Sequence, residues 1–165
     1  MARQLRSDLP DGIYHVTTRA VAGSFAYRDD DDRRTFLGLL AGVVDGCNWR
    51  AHAFCLMGTH YHLVVESTRT LLSRGMKRLN GLYAQGFNQR HGRAGHLWGD
   101  RFAARVIVDE DYLRAVCGYV ILNPVRAGLC ADPRDWPWSG CRYGVAEAAD
   151  AAAVPEITLD ARLES

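Results

Sequence analysis

Residues 49–66 constrain the fold of this chain more than any other stretch. Trp49 to Met57 alternates in polarity well enough for a β-strand, Gly58-Thr59 supplies a tight turn, and His60 to Glu66 is a second β-prone run. Two such runs across a two-residue turn make a hairpin, and a lone hairpin is marginal in water unless more sheet surrounds it. The chain offers that sheet. Ile13 to Thr18 is rich in β-branched and aromatic residues, and Arg101 to Val108 reads as a further strand. Between them lie two amphipathic helices. The acidic run Asp29 to Asp32 provides N-cap and first-turn carboxylates for one, in which Phe36, Leu39, Leu40, Val43 and Val44 recur at helical spacing until Gly46. Leu72, Met76, Leu79, Tyr83 and Phe87 mark the other. The segment from His91 to Gly99 is glycine-rich and loop-like.

The order β-α-β-β-α-β is the split β-α-β, ferredoxin-like arrangement: an α+β fold whose antiparallel sheet carries helices on one face. Asp109 then caps an appended third helix, expected to end near Asn123 because Pro124 follows. From Pro133 onward the chain reads as irregular. One domain is expected over residues 1–145, with residues 146–165 as an acidic, mobile tail. No apolar run approaches the roughly 20 residues of a membrane helix, so no membrane partner is expected. The first residues lack the apolar core of a signal peptide. Five cysteines without C-x-x-C pairing read as small buried hydrophobes in a reducing cytoplasm.

The net charge of +1 conceals a division along the chain. Arg69, Arg74, Lys77, Arg78, Arg90, Arg93, Arg101 and Arg105 face only Asp100 over residues 69–105, a local balance of +7. Residues 146–165 balance at −4. A basic middle with an acidic end suits a polyanion binder, although a solvated helix face would look the same.

His60-Tyr61-His62 is the sharpest chemical feature. Strand alternation puts the two histidines on one face, about 7 Å apart along the backbone, and Tyr61 on the other. Such a pair can hold a divalent ion, but alone an H-x-H is weak evidence. On the third helix Tyr112 and Tyr119 are seven residues apart and share a face, with Asn123 one turn beyond Tyr119. An amide oxygen there could complete a two-histidine site. Spacing alone favours the plainer reading, in which both tyrosines pack on the sheet and Asn123 caps the helix.

Four blocks occur in a fixed order: Leu56-Met57-Gly58-Thr59-His60-Tyr61-His62-Leu63-Val64-Val65, Gly95-His96-Leu97-Trp98 with Arg101-Phe102, Tyr119-Val120-Ile121-Leu122-Asn123-Pro124-Val125-Arg126-Ala127-Gly128, and Trp136-Pro137-Trp138-Ser139. Together, from about Gly12 to Tyr143, they resemble the REP-associated tyrosine transposases, a branch of the single-tyrosine HUH, IS200-like transposase superfamily. The resemblance implies a ferredoxin-like core with the two histidines on a central strand and the nucleophile on a following helix. By motif it implies Tyr119 as nucleophile and His60, His62 and Asn123 as ligands to Mg²⁺ or Mn²⁺; Tyr112, outside the signature, is the rival nucleophile. The partner it implies is single-stranded DNA with hairpin structure, and the chain would act as monomer or homodimer. Two departures stand out. Met57-Gly58-Thr59 replaces the usual Met-Pro-Asn, which bears on the rigidity of the turn, and Gly99-Asp100 stands where Gln often follows Leu-Trp, which bears on a DNA contact.

Such a reaction would nick and transfer DNA through a covalent 5′-phosphotyrosine, releasing a 3′-hydroxyl and conserving bond energy for rejoining. The sequence contains no phosphate-binding G-x-x-x-x-G-K-[ST] loop, and none is needed. DNA contacts are expected from Arg74, Lys77, Arg78, Arg90, Arg93, Arg101, Arg105 and Arg126, with Trp98, Phe102 and Tyr83 available to stack on unpaired bases or to pack in the core. His15 and His52 read as structural, with His15 able to approach the site. Two other classes compete: a non-catalytic DNA- or RNA-binding regulator that keeps the fold, and an H-x-H phosphohydrolase of small molecules.

Overall fold

The computed structural model describes residues 10–145 together with Ala148 and Ala149. Strand β1 (Gly12–Arg19) leads to helix α1 (Asp30–Gly46), the hairpin β2 (Arg50–Leu56) and β3 (His60–Ser67), helix α2 (Arg69–His91), strand β4 (Ala103–Ile107) and helix α3 (Glu110–Arg126). A short 3-10 turn (Pro133–Asp135) precedes β5 (Ser139–Cys141). The sheet order is β4-β1-β3-β2-β5, and every neighbouring pair is antiparallel. Strand β3, which carries both histidines, is therefore central.

Alternation along the strands sorts two cores. Tyr14, Val16, Tyr61, Leu63 and Val65 face α1 and α2, where Phe36, Leu40, Leu72, Met76, Leu79 and Tyr83 are buried with them. The opposite face meets α3: Ala53, Cys55, Val64 and Ile107 pack with Leu113, Val116, Cys117, Tyr119, Val120 and Ile121. The core helices lie on one face as expected, and the appended helix covers the other. Of the expected acidic tail only Ala148 and Ala149 fall within the described residues; Ala148 is buried in the α3 core.

Helix ends follow local chemistry. Asp29 caps α1 by accepting the Asp32 amide, Thr68 caps α2 through Leu71, and Asp109 caps α3 through Tyr112. The predicted stop at Pro124 is wrong. Helix α3 continues to Arg126, losing only the bond that Pro124 cannot donate. It ends at Gly128, whose φ of 73° lets the Gly128 amide reach the Val125 carbonyl and the Leu129 amide the Pro124 carbonyl. Asn123 is thus inside the last turn, its carbonyl accepting the Ala127 amide, and is not the cap.

The segment after Pro133 is also more ordered than its composition suggests. Strand β5 adds to the free edge of β2, and the Trp136-Pro137-Trp138 block grips the end of β2. Trp136 donates its indole N–H to the Leu56 carbonyl at 3.1 Å, and the Trp138 carbonyl accepts the Leu56 amide at 2.8 Å. Leu56 stands directly ahead of the turn that delivers His60.

Candidate active site

The β2–β3 turn sets the position of the first histidine. The Met57 amide bonds the His60 carbonyl at 2.9 Å, closing the turn. The chain leaving β1 then clamps it: the Ala20 amide bonds the Thr59 carbonyl at 2.8 Å and the Ala26 amide bonds that of Gly58 at 2.9 Å. Backbone pairing of this kind supplies the rigidity that a proline at position 58 would otherwise give.

His60 and His62 project from the same face, with ring centroids 5.1 Å apart. His62 is buried, and His15 on β1 reaches it diagonally across the register that pairs Thr17 with His62. The two rings stack at 5.2 Å, with His15 Nε2 3.0 Å from His62 Nδ1, and Thr17 Oγ1 lies 3.4 Å from the same nitrogen. His60 Nδ1 meets Thr59 Oγ1 at 3.1 Å, and Arg19 donates to that hydroxyl at 3.4 Å. In both imidazoles the Nδ1 side is occupied within the protein. Nε2 of His62 is buried with no partner, and so is the amide nitrogen of Asn123. The nitrogen and oxygen of an amide exchange by a half-turn, so Asn123 can turn its oxygen to where its nitrogen lies.

Burial, reinforced by Arg19, pushes His60 down to about 4, and burial with the Arg105 charge does the same for His15. Burial and the neighbouring His15, His60 and Arg19 hold His62 well below the usual histidine value. All three are therefore neutral at pH 7, the form in which imidazole binds a metal. Among the described residues no three His, Cys, Asp or Glu side chains converge on one point. A divalent ion would rest on His60, His62 and the Asn123 amide, and the two orphaned polar atoms fit that donor set.

Helix α3 lays Tyr119 over this group. Its ring stands edge-on to His62 at 5.9 Å and to His15 at 6.1 Å, and the Arg126 guanidinium lies 4.9 Å from its ring centroid. Tyr112 is two turns earlier, about 10 Å back along the helix axis. Tyr119 is only 3% exposed.

A family model described as Transposase IS200 like matches residues 11–122, about two thirds of the chain. The chain belongs to the IS200-like transposase family. Among solved structures, one of the REP-associated tyrosine transposase bound to a REP hairpin superposes with a TM-score of 0.70 over 84% of this chain and 82% of that one, at 17% identity. The shared fold is what that likeness shows. No curated protein sequence matched. In this IS200-like chain the family match stops one residue before Asn123, so Asn123 and Arg126 at the end of α3 lie beyond it.

The structure divides the expected DNA-contacting residues. Arg126 lies against the Tyr119 ring, and Arg105 on β4 stands opposite His15. Arg74, Lys77 and Arg78 line an open groove with Gly81 and Leu82 on the outer face of α2, across the sheet from Tyr119. Arg90 is engaged at home, bonded to Asp29 at 2.7 Å and Asp32 at 2.6 Å, and Arg93 bonds the Asn88 side chain and the His96 carbonyl. Arg101 is exposed. Trp98 is half-buried, its indole donating to the Asn80 carbonyl and its ring edge-on to Tyr61. Tyr83 and Phe102 are core residues, which removes both as stacking surfaces. Sequence reasoning missed Thr17 and Arg19, for which a strand-alternation count through β1 was the available signal, and Thr59 of the β2–β3 turn, for which adjacency to His60 was.

Proposed function

We propose that this chain nicks and rejoins single-stranded DNA with Tyr119 as nucleophile. The observation that supports the reading best is the Tyr119 ring held over neutral, otherwise partnered histidines with one nitrogen left open on His62. When bound, Mg²⁺ or Mn²⁺ would neutralise a non-bridging phosphate oxygen. A ligating Nε2 requires the proton on Nδ1, so His62 donates to His15 Nε2 and His60 to Thr59 Oγ1. These bonds fix both rings before substrate arrives.

The Tyr119 oxygen forms a bond to phosphorus as the bond from phosphorus to the 3′-oxygen breaks. The phenolic proton leaves to solvent, and the departing 3′-oxygen takes one up. The product is a 5′-phosphotyrosine and a free 3′-hydroxyl, and the reverse step rejoins DNA with no nucleotide cofactor. Arg126 over the ring and Arg105 beside His15 place positive charge where the phosphate must come. Nucleophile and histidines come from the same chain, so a monomer can carry the reaction. Hairpin-containing DNA is the substrate we favour, since the structural relative was solved bound to a hairpin.

The test uses 3′-labelled single-stranded oligonucleotides carrying candidate hairpins, with Mn²⁺ or Mg²⁺, resolved on a denaturing protein gel. Wild-type protein should carry the label in a metal-dependent way, and Tyr119→Phe should carry none while Tyr112→Phe still does. Loss only in Tyr112→Phe would reassign the nucleophile. Salt-sensitive binding with no adduct on any hairpin would favour a regulator that keeps the fold without the chemistry.

A further inference from the structure

Phe25 is the one exposed large aromatic side chain among the described residues, at 61%. One exposed ring is ordinary in itself, but it leaves apolar area that stacking on a base would bury. Its segment is also held in place. The Val21 amide bonds the Leu97 carbonyl at 2.8 Å, the Ser24 amide closes a turn on Val21 at 3.0 Å, and Gly23 takes a φ of 77° that other residues rarely adopt. On the far side of Phe25, Ala26 bonds Gly58. The ring itself rests on the hairpin turn, since a Cβ added at Gly58 would lie 3.7 Å from its Cδ1. Gly58 is two residues from His60.

Two exposed arginines belong to the same end of the sheet, with Asp100 beside one of them. Arg19 is exposed and donates to Thr59, between Gly58 and His60. The Gly99 amide bonds the Arg19 carbonyl at 3.0 Å, which brings the loop bearing exposed Arg101 to the same end of the sheet. A fixed, exposed aromatic ring beside guanidinium groups is the pairing that grips a single strand, one part stacking on a base and the other neutralising phosphate. Duplex DNA offers no free base face to such a ring. Tyr83 and Phe102 have their rings buried in the core, while Trp98 is half-buried with its indole nitrogen bonded to the Asn80 carbonyl.

We propose that Phe25 is the stacking platform for an unpaired nucleobase next to the His60–His62 site, placing the strand relative to the phosphate that Tyr119 attacks. The inference rests on the single-strand part of the proposed function and is independent of the nucleophile.

The test measures fluorescence anisotropy of a labelled 20-nucleotide thymidine strand against the full chain, its Phe25→Ala and Phe25→Trp variants, and a 20-base-pair duplex control. Phe25→Ala should bind the single strand about ten-fold more weakly and the duplex as wild type does, while Phe25→Trp should restore single-strand binding. A 2-aminopurine placed in the strand should change its fluorescence on binding wild type and Phe25→Trp but not Phe25→Ala, which reads stacking directly. Equal single-strand affinity of wild type and Phe25→Ala overturns the proposal, as does an equal loss on duplex. Adduct formation by wild type together with unchanged Phe25→Ala binding removes this inference alone. A wild-type chain that prefers duplex removes the single-strand reading beneath it.

Discussion

At the scale of single residues, the proposed function asks that one nitrogen of each histidine be occupied and the other left for a metal, and Nδ1 of both is occupied. His15 is the most informative partner because it binds no substrate in this arrangement and acts through His62. Replacing it with Ala should raise the Mn²⁺ concentration needed for half-maximal adduct formation by about 10–100-fold, and His15→Gln, which keeps an acceptor, should recover part of that. An unchanged metal dependence in His15→Ala would show that Thr17 alone orients the ring. What the sequence disclosed here was the H-x-H pair, because a period of two needs no tertiary information. The His15–His62 contact was not legible, since it depends on the β1–β3 register, which local spacing cannot supply.

At the scale of elements, the chain's punctuation was read well where side chains cap and poorly where backbone geometry decides. Asp29 and Asp109, expected as caps, hold their helices through side-chain oxygens, and Thr68, not singled out from the sequence, does the same for α2. The end of α3 was misjudged because a proline in the last turn forfeits one hydrogen bond, whereas the left-handed glycine at 128 is what turns the chain. Strand β5 escaped notice because Ser139-Gly140-Cys141 has no β-branched residue. Gly140 is there for room, since a Cβ would come within 2.7 Å of Phe54.

The start of α1 and the end of α2 are joined by Asp32, which accepts from the Arg28 amide, His91 and Arg90. Burial works against its charged form, but those donors outweigh it and the carboxyl sits below the ordinary range. The stabilisation is therefore complete above the unfolded value of about 3.9 and is lost as pH falls through the lower folded value. Asp32→Asn should cost about 1–3 kcal/mol at pH 7 in urea unfolding, with the gap to wild type closing toward pH 3. A gap of constant size across that range would mean that packing, not charge, holds the joint.

For the whole molecule, the basic outer face of α2 and the Tyr119 face of α3 lie on opposite sides of one sheet. Exchanging Arg74, Lys77 and Arg78 together for Gln should flatten the dependence of single-strand affinity on salt, lowering the slope of log affinity against log salt by about 2. An unaltered slope would take α2 out of the contact surface. The basic stretch was visible in the sequence, but not its separation from Tyr119, because an apolar stripe tells a helix to pack without saying on which face.

That separation bears on custody of the broken strand. A nick creates two ends, and an enzyme that held DNA only at the cut would retain one through its phosphotyrosine and risk losing the other to diffusion. With α2 and α3 on opposite faces, a strand long enough to reach both must pass round the rim of the sheet, and Phe25 and Arg19 stand at one end of it. On the proposed function, the flank gripped at α2 stays tethered after the bond at Tyr119 has parted. Rejoining then becomes a reaction between neighbours, governed by a local concentration that dilution of the protein does not change.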